Sequence, residues 1–247
     1  MKTLQKIISF IQDLFSFMTG GTLCIGCGSQ TLSVPLCKNC QNKLVNYVPF
    51  NAGCRCTKCG KELVSEIEIC RECRENETQR TLDGMFPLHM YRLWKKDLMF
   101  AWKSQGARTI SPVFASVLNK AICDLKNEKI ISFDYIVPVP PRPGKIRKVG
   151  WDQVDELCRI LNRNYGYEIE YPLERMSSRE QKTLNKEQRK GSLGAVYRMK
   201  DDFSLKGKKF LLLDDVSTTG ATLDKCSRIL KKNGAEEVYG LSLFMVD

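Results

Sequence analysis

Apolar residues in the last two thirds of the chain recur with two different spacings. Short apolar or alternating runs predict strands at 85–92, 135–139, 209–213 and 237–244. Between them, apolar positions three and four residues apart predict helices at 95–103, 110–126, 150–162 and 222–232. Strands that alternate with helices predict an α/β fold with a doubly wound, mostly parallel sheet.

The first 22 residues carry a helical apolar stripe, formed by Leu4, Ile7, Ile8, Ile11, Leu14, Phe15 and Met18. Gln12 and Asp13 interrupt the apolar run, and Leu23 before Cys24 is not the small residue that signal-peptide cleavage needs. The pattern predicts an amphipathic helix over 1–22 that packs against the protein, with transient membrane contact as the alternative. Since no run is long and apolar enough to span a bilayer, we expect a cytoplasmic protein.

Cysteines dominate the segment that follows. Nine of the twelve lie between Cys24 and Cys73, and they include four CxxC units: Cys24/Cys27, Cys37/Cys40, Cys56/Cys59 and Cys70/Cys73. Two residues between cysteines let both thiolates reach one metal, and zinc takes four such ligands. The spacing therefore predicts two zinc sites, grouped in sequence order or cross-braced. Cys54 could replace Cys56 as a ligand, and a disulfide scaffold or a redox pair is the competing interpretation.

Zinc held by four thiolates has no open coordination position, so we expect these sites to be structural. A module this small buries little apolar surface, and metal binding would supply much of its folding free energy. We therefore divide the chain into the N-terminal helix at 1–22, a small four-cysteine zinc-binding module at 23–80 and an α/β domain at 81–247.

The net charge is +11, with 43% hydrophobic and 27% charged residues. These fractions are ordinary for a globular protein, but the charge favours an anionic partner such as nucleic acid or a phosphate ligand. A solvated basic surface is the alternative explanation.

The stretch FLLLDDVSTTGAT, at 210–222, ends an apolar run in Asp214 and Asp215 and continues with small and hydroxyl residues. Ligands of parallel α/β sheets bind at the carboxyl ends of strands. A loop there that enters a helix offers backbone N–H groups to one phosphate, and Gly220 lets the backbone approach closely. Two carboxylates suit vicinal hydroxyls that donate hydrogen bonds, so the stretch predicts a site for a ribose 5-phosphate. The alternative is an acidic turn followed by a Thr-rich helix cap.

This stretch resembles the 5-phosphoribosyl-1-pyrophosphate (PRPP) signature of type I phosphoribosyltransferases. The resemblance implies that Asp214 and Asp215 contact the ribose hydroxyls and that magnesium binds together with PRPP. It also implies a 5-phosphate loop, formed by Val216, Ser217, Thr218, Thr219, Gly220, Ala221 and Thr222. Ser217 stands where that family usually has an aliphatic residue.

A longer resemblance covers nearly the whole chain and is to the ComF/ComFC competence family, which joins an N-terminal zinc finger to a phosphoribosyltransferase-like domain and serves DNA uptake. It rests on the cysteine pairs followed in order by YRLWKKDLMFAWKSQGAR, VPVPPRPGKIRKVGWDQ, RMSSREQKTLNKEQRKGS and the ribose-phosphate loop. The second of these matches a family text close to PVPLHPRRLRERGFNQ. The chain departs from the family at Val149, Trp151, Asp152 and Ser192.

A basic run follows the strand predicted at 135–139. Both its position and the family resemblance suggest contact with pyrophosphate or with a DNA backbone. The candidate residues for this contact are Arg142, Lys145, Arg147 and Lys148, with Lys103 and Arg189 from elsewhere in the chain. The polar, basic segment at 175–190 is predicted to be a loop that closes over the ligand. A solvated loop is the alternative for the basic run, and contact with a nucleic-acid backbone is the alternative for the segment at 175–190.

The sequence leaves three functions open. A zinc-dependent adaptor that docks a helicase or a membrane channel is the least specific of them. The family resemblance implies a PRPP-binding protein that binds single-stranded DNA. The alternative is an active transferase that moves ribose 5-phosphate from PRPP to a nitrogen acceptor. The donor motif is complete, but the sequence identifies neither an acceptor pocket nor a general base.

Overall fold

The computed structural model describes residues 21–75, 80–146, 150–176, 196–200 and 203–246. The cysteine-rich segment contains four short elements: strands β1 (Thr22–Leu23) and β2 (Gln30–Thr31), and helices α1 (Lys38–Val45) and α2 (Arg71–Glu75). Strands β1 and β2 pair antiparallel. Most of the helix predicted over 1–22 lies outside the described residues.

The rest of the described chain alternates strands and helices. The elements are β3 (Gly84–Met90), α3 (Trp94–Ser104), a 3-10 turn (Arg108–Ile110), α4 (Ser111–Asn127), β4 (Tyr135–Pro138), α5 (Gln153–Tyr165), β5 (Leu173–Arg175), β6 (Tyr197–Met199), β7 (Lys209–Ser217), α6 (Ala221–Lys232) and β8 (Glu237–Met245). Strands β3, β8, β7 and β4, in that order, form a parallel sheet. Strands β5 and β6 form a separate antiparallel pair.

Side chains of the sheet alternate between two cores. Leu211 and Leu213 of β7 belong to the larger core, which includes buried residues of α3, α4 and α5. Phe210 and Leu212 belong to the other core, together with buried residues of α6. Because successive strand residues point to opposite faces, one apolar run supplies both cores. The prediction of a doubly wound parallel sheet is confirmed.

The main difference from the predicted elements is the length of β7, which continues four residues beyond the predicted end at 213. Asp214 pairs with Ser242, Val216 with Phe244 and Ser217 with Met245 of β8. Polar residues continue the strand because β8 still offers hydrogen-bonding partners there. The two aspartates therefore lie within the strand and not in a loop after it.

The cysteine-rich segment packs directly on the sheet. Cys40 and Leu44 of α1 share the larger core with Trp102 and Phe114. His89 of β3 is buried, with its Nε2 2.8 Å from the Leu44 carbonyl oxygen and its Nδ1 3.1 Å from Lys95 Nζ. Burial and the Lys95 charge lower the pKa of His89 to about 3, so it is a neutral, structural link between α1 and β3.

Arg55 makes a second link, between the cysteine-rich segment and β3. Its side chain is buried and donates hydrogen bonds at 2.7 Å to the carbonyl oxygens of Val48, Gly60 and Pro87. A buried guanidinium with this many acceptors fixes the segment on the sheet, since loss of the acceptors would leave its donors unsatisfied. None of the described helices combines the length and apolar content that a membrane span requires.

Candidate functional site

The candidate site lies where β4 ends and β7 continues. Pro138 at the end of β4 pairs with Leu213, and the Val139 N–H donates to the Leu213 carbonyl oxygen at 2.9 Å. The pairing with β4 ends there, whereas β7 continues beside β8 from Asp214 to Ser217. A crevice at the carboxyl ends of two strands is the usual ligand site of an open α/β sheet. The acidic pair lies at this carboxyl edge of the sheet.

Asp214 and Asp215 point to opposite faces of the sheet, because they are successive residues of one strand. Asp215 is 8% exposed, and its Oδ1 lies 2.7 Å from Lys103 Nζ at the end of α3. Asp214 lies on the α6 side, where its charge contributes to the raised pKa of Cys226. The two carboxylates therefore differ in surroundings, and Asp215 already has a cationic partner.

Asp214 has an unusual protonation equilibrium. Burial, and then the negative charge of Asp215, raise its pKa from 3.8 to about 7. The Asp215 N–H donates to Asp214 Oδ1 at 2.8 Å, and this bond and the Lys103 charge oppose the shift. A carboxyl group near half-ionisation at neutral pH is common in functional sites.

The predicted phosphate loop follows β7 and leads into α6. Thr218 and Thr219 are exposed, and Gly220 is buried with φ of 75°. An L-residue is strained in this left-handed conformation, and a Cβ there would lie 2.6 Å from Met85 Sδ. Helix α6 begins at Ala221, so the N–H groups of its first turn and the positive end of its dipole lie at the loop. This arrangement is suited to one phosphate.

Ser217 contributes differently from the other loop residues. Its side chain is buried between strands, with Oγ 3.0 Å from Ser242 Oγ and 3.4 Å from the Phe244 carbonyl oxygen. Phosphoribosyltransferases usually have an aliphatic residue at this position. Here the Ser217 hydroxyl makes a hydrogen bond inside the sheet instead.

Lys145 lies in a turn after β4. Its N–H donates to the Arg142 carbonyl oxygen at 3.0 Å, and its Nζ lies 2.7 Å from Asp152 Oδ2. Arg142 is exposed, and an open depression of about 410 Å³ lies over the turn. The depression is lined by Pro141, Arg142, Pro143, Gly144 and Ile146. Of the other predicted contacts, Arg147, Lys148 and Arg189 lie outside the described residues, as does most of the segment at 175–190.

One ion pair joins α3 to Asp215 of the acidic pair, and another joins the basic turn to the start of α5. Asp152 caps α5 by accepting from the N–H groups of Val154 and Asp155, and it holds Lys145. The Asp152 charge is also among the causes that raise the pKa of Asp214. Arg108, by contrast, is paired with Glu156 at 2.7 Å. The structure thus brings Lys103 and Lys145 to the same edge of the sheet as Asp214 and Asp215.

The eight cysteines of the CxxC units form two clusters in sequence order. The first cluster contains Cys24, Cys27, Cys37 and Cys40; the second contains Cys56, Cys59, Cys70 and Cys73. All four sulfurs of a cluster lie within 4.8 Å of one another, and Cys54 belongs to neither. The sequential grouping is therefore the one observed, and each cluster could hold a metal ion.

The ionisation of the thiols fits a metal. A backbone hydrogen bond at Cys40 lowers the pKa of Cys37 to about 6, whereas burial raises that of Cys40 to about 12. In the second cluster burial raises the pKa of Cys73 to about 11. Four crowded thiols cannot all ionise without a nearby cation, and a bound metal would supply it.

Sequence reasoning missed two residues at this site. Asp152 had a local signal, because an acidic residue before VDEL is typical of a helix N-cap. Arg80 had none: it is one of two arginines between Cys73 and β3, and no motif surrounds it. In the structure its guanidinium donates to the Thr219 carbonyl oxygen of the phosphate loop at 3.0 Å.

Comparison with known proteins gives three kinds of similarity. A family model for the phosphoribosyl transferase domain matches residues 154–243. Competence protein ComFC of Streptococcus pneumoniae is 28% identical over 208 residues, which cover 84% of this chain and 86% of that protein. Competence protein F of Haemophilus influenzae is 28% identical over 215 residues, which cover 84% of this chain and 90% of that protein. DNA utilization protein YhgH of Escherichia coli is 30% identical over 107 residues, or 42% of this chain and 46% of that protein. An alignment over 84% of the chain necessarily includes parts of both the cysteine-rich segment and the sheet.

Proposed function

Because the chain belongs to the ComF/ComFC competence family, we propose that it binds PRPP at the β7–α6 loop and single-stranded DNA on the adjoining basic surface, in the service of DNA uptake. One observation carries the proposal: the acidic pair, the loop and a helix N-terminus lie together at the carboxyl end of β7. The relatives named for competence and DNA utilization support the connection with DNA.

In this proposal the loop at 218–222 binds the 5-phosphate through backbone N–H groups, and Asp214 accepts hydrogen bonds from the ribose hydroxyls. Asp215 is held by Lys103, so ligand binding must loosen this ion pair before Asp215 can contact the ribose. Lys103 then becomes free for the pyrophosphate, and Arg142 and Lys145 add positive charge on the same side. Magnesium would enter bound to the pyrophosphate and neutralise part of its charge.

The metal in the two cysteine clusters is proposed to be zinc. Four thiolates that lie this close together are its usual structural ligand set, and zinc held by four sulfurs has no open coordination position for a reacting group. In the first cluster the Cys37 N–H donates to Cys24 Sγ at 3.2 Å, and in the second the Cys70 N–H donates to Cys56 Sγ at 3.4 Å. Such bonds are expected where a thiolate carries negative charge.

An active transferase is the second candidate. It is favoured by Asp214, whose raised pKa would let a carboxylate take up a proton near neutral pH, as a general base does. The acceptor would be a nitrogen nucleophile that displaces pyrophosphate at the anomeric carbon. Release of pyrophosphate when PRPP is offered with candidate bases or amines would support this function.

Binding of labelled single-stranded DNA over a salt series, with and without magnesium PRPP, tests the main proposal. We expect affinity to fall steeply between about 50 and 200 mM salt, since phosphate contacts release counterions. The double variant Arg142→Gln with Lys145→Gln removes two contacts and should reduce the slope of log K against log salt by about 1.4. Lys120→Gln with Lys126→Gln, which removes the same charge from α4, is the control.

If the wild type has no measurable affinity for the DNA at low salt, the DNA-binding part of the proposal is wrong. If PRPP binds and changes the affinity for DNA, the DNA must change the affinity for PRPP by the same factor. Loss of the effect in the double variant, and not in the control, would place the DNA on the basic turn.

A further inference from the structure

A short linker joins the second cysteine cluster to β3, and its first described residue contacts both the cluster and the phosphate loop. Arg80 Nη2 lies 3.0 Å from the Thr219 carbonyl oxygen and 3.7 Å from Cys73 Sγ. Its Nη1 lies 3.2 Å from Met85 Sδ. One guanidinium therefore bridges a potential metal ligand and the loop, with its planar donors pointing in fixed directions.

A second path connects the same two features through Met85. A Cβ on Gly60, directly after Cys59, would lie 2.2 Å from the Met85 carbonyl oxygen. A Cβ on Gly220 would lie 2.6 Å from the sulfur of the same residue. The second cluster and the phosphate loop thus pack against the two ends of Met85. Neither position 60 nor position 220 has room for a Cβ atom.

The linker is also fastened to the helix that follows the loop. The Thr81 N–H donates to Asp224 Oδ1 at 2.6 Å, and its hydroxyl donates to the same oxygen at 3.0 Å. Asp224 lies in the first turn of α6, and its own N–H donates to the Gly220 carbonyl oxygen at 2.9 Å. Movement of the linker would therefore shift the N–H groups that face the phosphate.

The first cluster has different neighbours. Gly26 lies against Cys40 and Trp94, and Cys24 and Cys40 belong to the larger core under α4. Both clusters consist of four cysteines, but only the second has the contact with Arg80 described above. The first cluster can therefore serve as a comparison for the second within the same molecule.

We propose that Arg80 is a positioning residue that ties the phosphate loop to the second cluster, so that metal bound there raises the affinity of the loop for a sugar 5-phosphate. The inference rests on the proposed function of the loop. A bound metal fixes Cys73 Sγ, and the fixed sulfur orients the guanidinium that holds the Thr219 carbonyl oxygen. Without the metal, one end of the bridge is free to move.

The test uses the full-length, metal-loaded protein and ribose 5-phosphate, with affinity measured by calorimetry. Arg80→Ala should weaken binding by about five- to tenfold, within the range of coupling between linked sites. Arg80→Lys keeps the charge but has one donor group in place of a fork, so it should weaken binding nearly as much. Arg74→Ala is the matched control, because Arg74 is 55% exposed, pairs with Glu66 and lies in the same part of the chain.

A second readout is the rate at which a chelator removes metal from the loaded protein. Because coupling is reciprocal, ribose 5-phosphate should slow the release of one of the two metal equivalents in the wild type. The slowing should disappear in Arg80→Lys and persist in the Arg74→Ala control. A purely structural role of Arg80 would change the release rate without making it insensitive to the ligand.

The outcomes separate this inference from the proposed function. If the wild type binds ribose 5-phosphate, and both Arg80 variants bind it equally well with the same ligand effect on metal release, the Arg80 bridge is wrong. If Arg80→Lys retains full affinity while Arg80→Ala loses it, the charge of Arg80 acts directly on the phosphate and the bridge is likewise wrong. If the loaded wild type does not bind ribose 5-phosphate, the proposed function of the loop fails, and this inference fails with it.

Discussion

The loop proposed to bind a phosphate and the lysines proposed to face a pyrophosphate reach the same edge of the sheet by different routes. Residues 214–222 are contiguous, and one strand, one loop and one helix N-terminus position them. Lys103 and Lys145 come from α3 and from the turn after β4, and each is held by a carboxylate, Asp215 or Asp152, at 2.7 Å. We call these the phosphate half and the lysine half of the site.

The difference concerns how much each half is organised before the ligand arrives. Backbone N–H groups at a helix end have a fixed direction and need no rearrangement to bind an anion. The lysines of the other half must exchange an existing carboxylate partner for the ligand, which costs part of the new interaction. We therefore expect the phosphate half to set affinity for any ribose 5-phosphate and the lysine half to distinguish PRPP from simpler sugar phosphates.

Removal of the acidic pair should have the largest effect. The double variant Asp214→Ala with Asp215→Ala should weaken magnesium PRPP binding at least about 100-fold, because it removes two acceptors with charge-assisted bonds. Calorimetry measures the loss. The control is Glu236→Ala with Glu237→Ala, an adjacent acidic pair at the other end of the sheet, where Glu237 begins β8. Near wild-type affinity in the aspartate variant would mean that the crevice is not the ribose site.

The phosphate half was predictable from the sequence because its residues are neighbours in the chain. The order of apolar run, acidic pair, hydroxyl residues and glycine predicted a loop at the end of this strand, but Val216 and Ser217, which were predicted as loop residues, lie in β7. What could not be predicted was that β7 continues to Ser217, since this depends on hydrogen bonds to Phe244 and Met245 in another strand. The buried Ser217–Ser242 contact has the same cause.

The lysine half was predictable only as a list of basic residues. Lys103 and Asp215 are far apart in the chain, and their ion pair depends on how α3 packs against the sheet. Arg108 follows Lys103 closely in the chain, yet it pairs with Glu156 and not with the acidic pair. The cysteine clusters lie between these extremes: the CxxC spacing predicted which eight cysteines cluster, and the tertiary structure shows that they group in sequence order.

Lys103→Gln should separate the two halves with an intermediate effect. Loss of one cation near the pyrophosphate should weaken PRPP binding by about tenfold, the lower value for a charge-assisted contact. Ribose 5-phosphate should bind as well as in the wild type or more tightly, because Asp215 is released from its partner. Lys120→Gln removes a lysine that pairs with Asp124 on α4 and controls for net charge. Equal losses for both ligands would show that Lys103 supports the phosphate half and that the two halves are not distinct.

The smallest expected effect is a pH dependence that originates in Asp214. Its pKa in the folded protein is raised to about 7 from 3.8, so the contribution of this group to stability is fully present below about pH 4 and is lost as the pH rises through 7. Ligand binding should change in the opposite direction, because the ribose hydroxyls need an ionised acceptor. We expect affinity for ribose 5-phosphate to rise about threefold between roughly pH 6.5 and 7.5 while the free energy of unfolding falls.

Asp214→Asn removes this titration and keeps one acceptor oxygen, so it also isolates the titration of the phosphate on the ligand. In this variant the pH dependence of affinity should reduce to that of the ligand, and the loss of stability with rising pH should be smaller than in the wild type. An unchanged dependence of both quantities would mean that Asp214 is ionised throughout this range. The phosphate half would then be organised in charge as well as in geometry before the ligand binds, which would make the contrast with the lysine half greater than we propose.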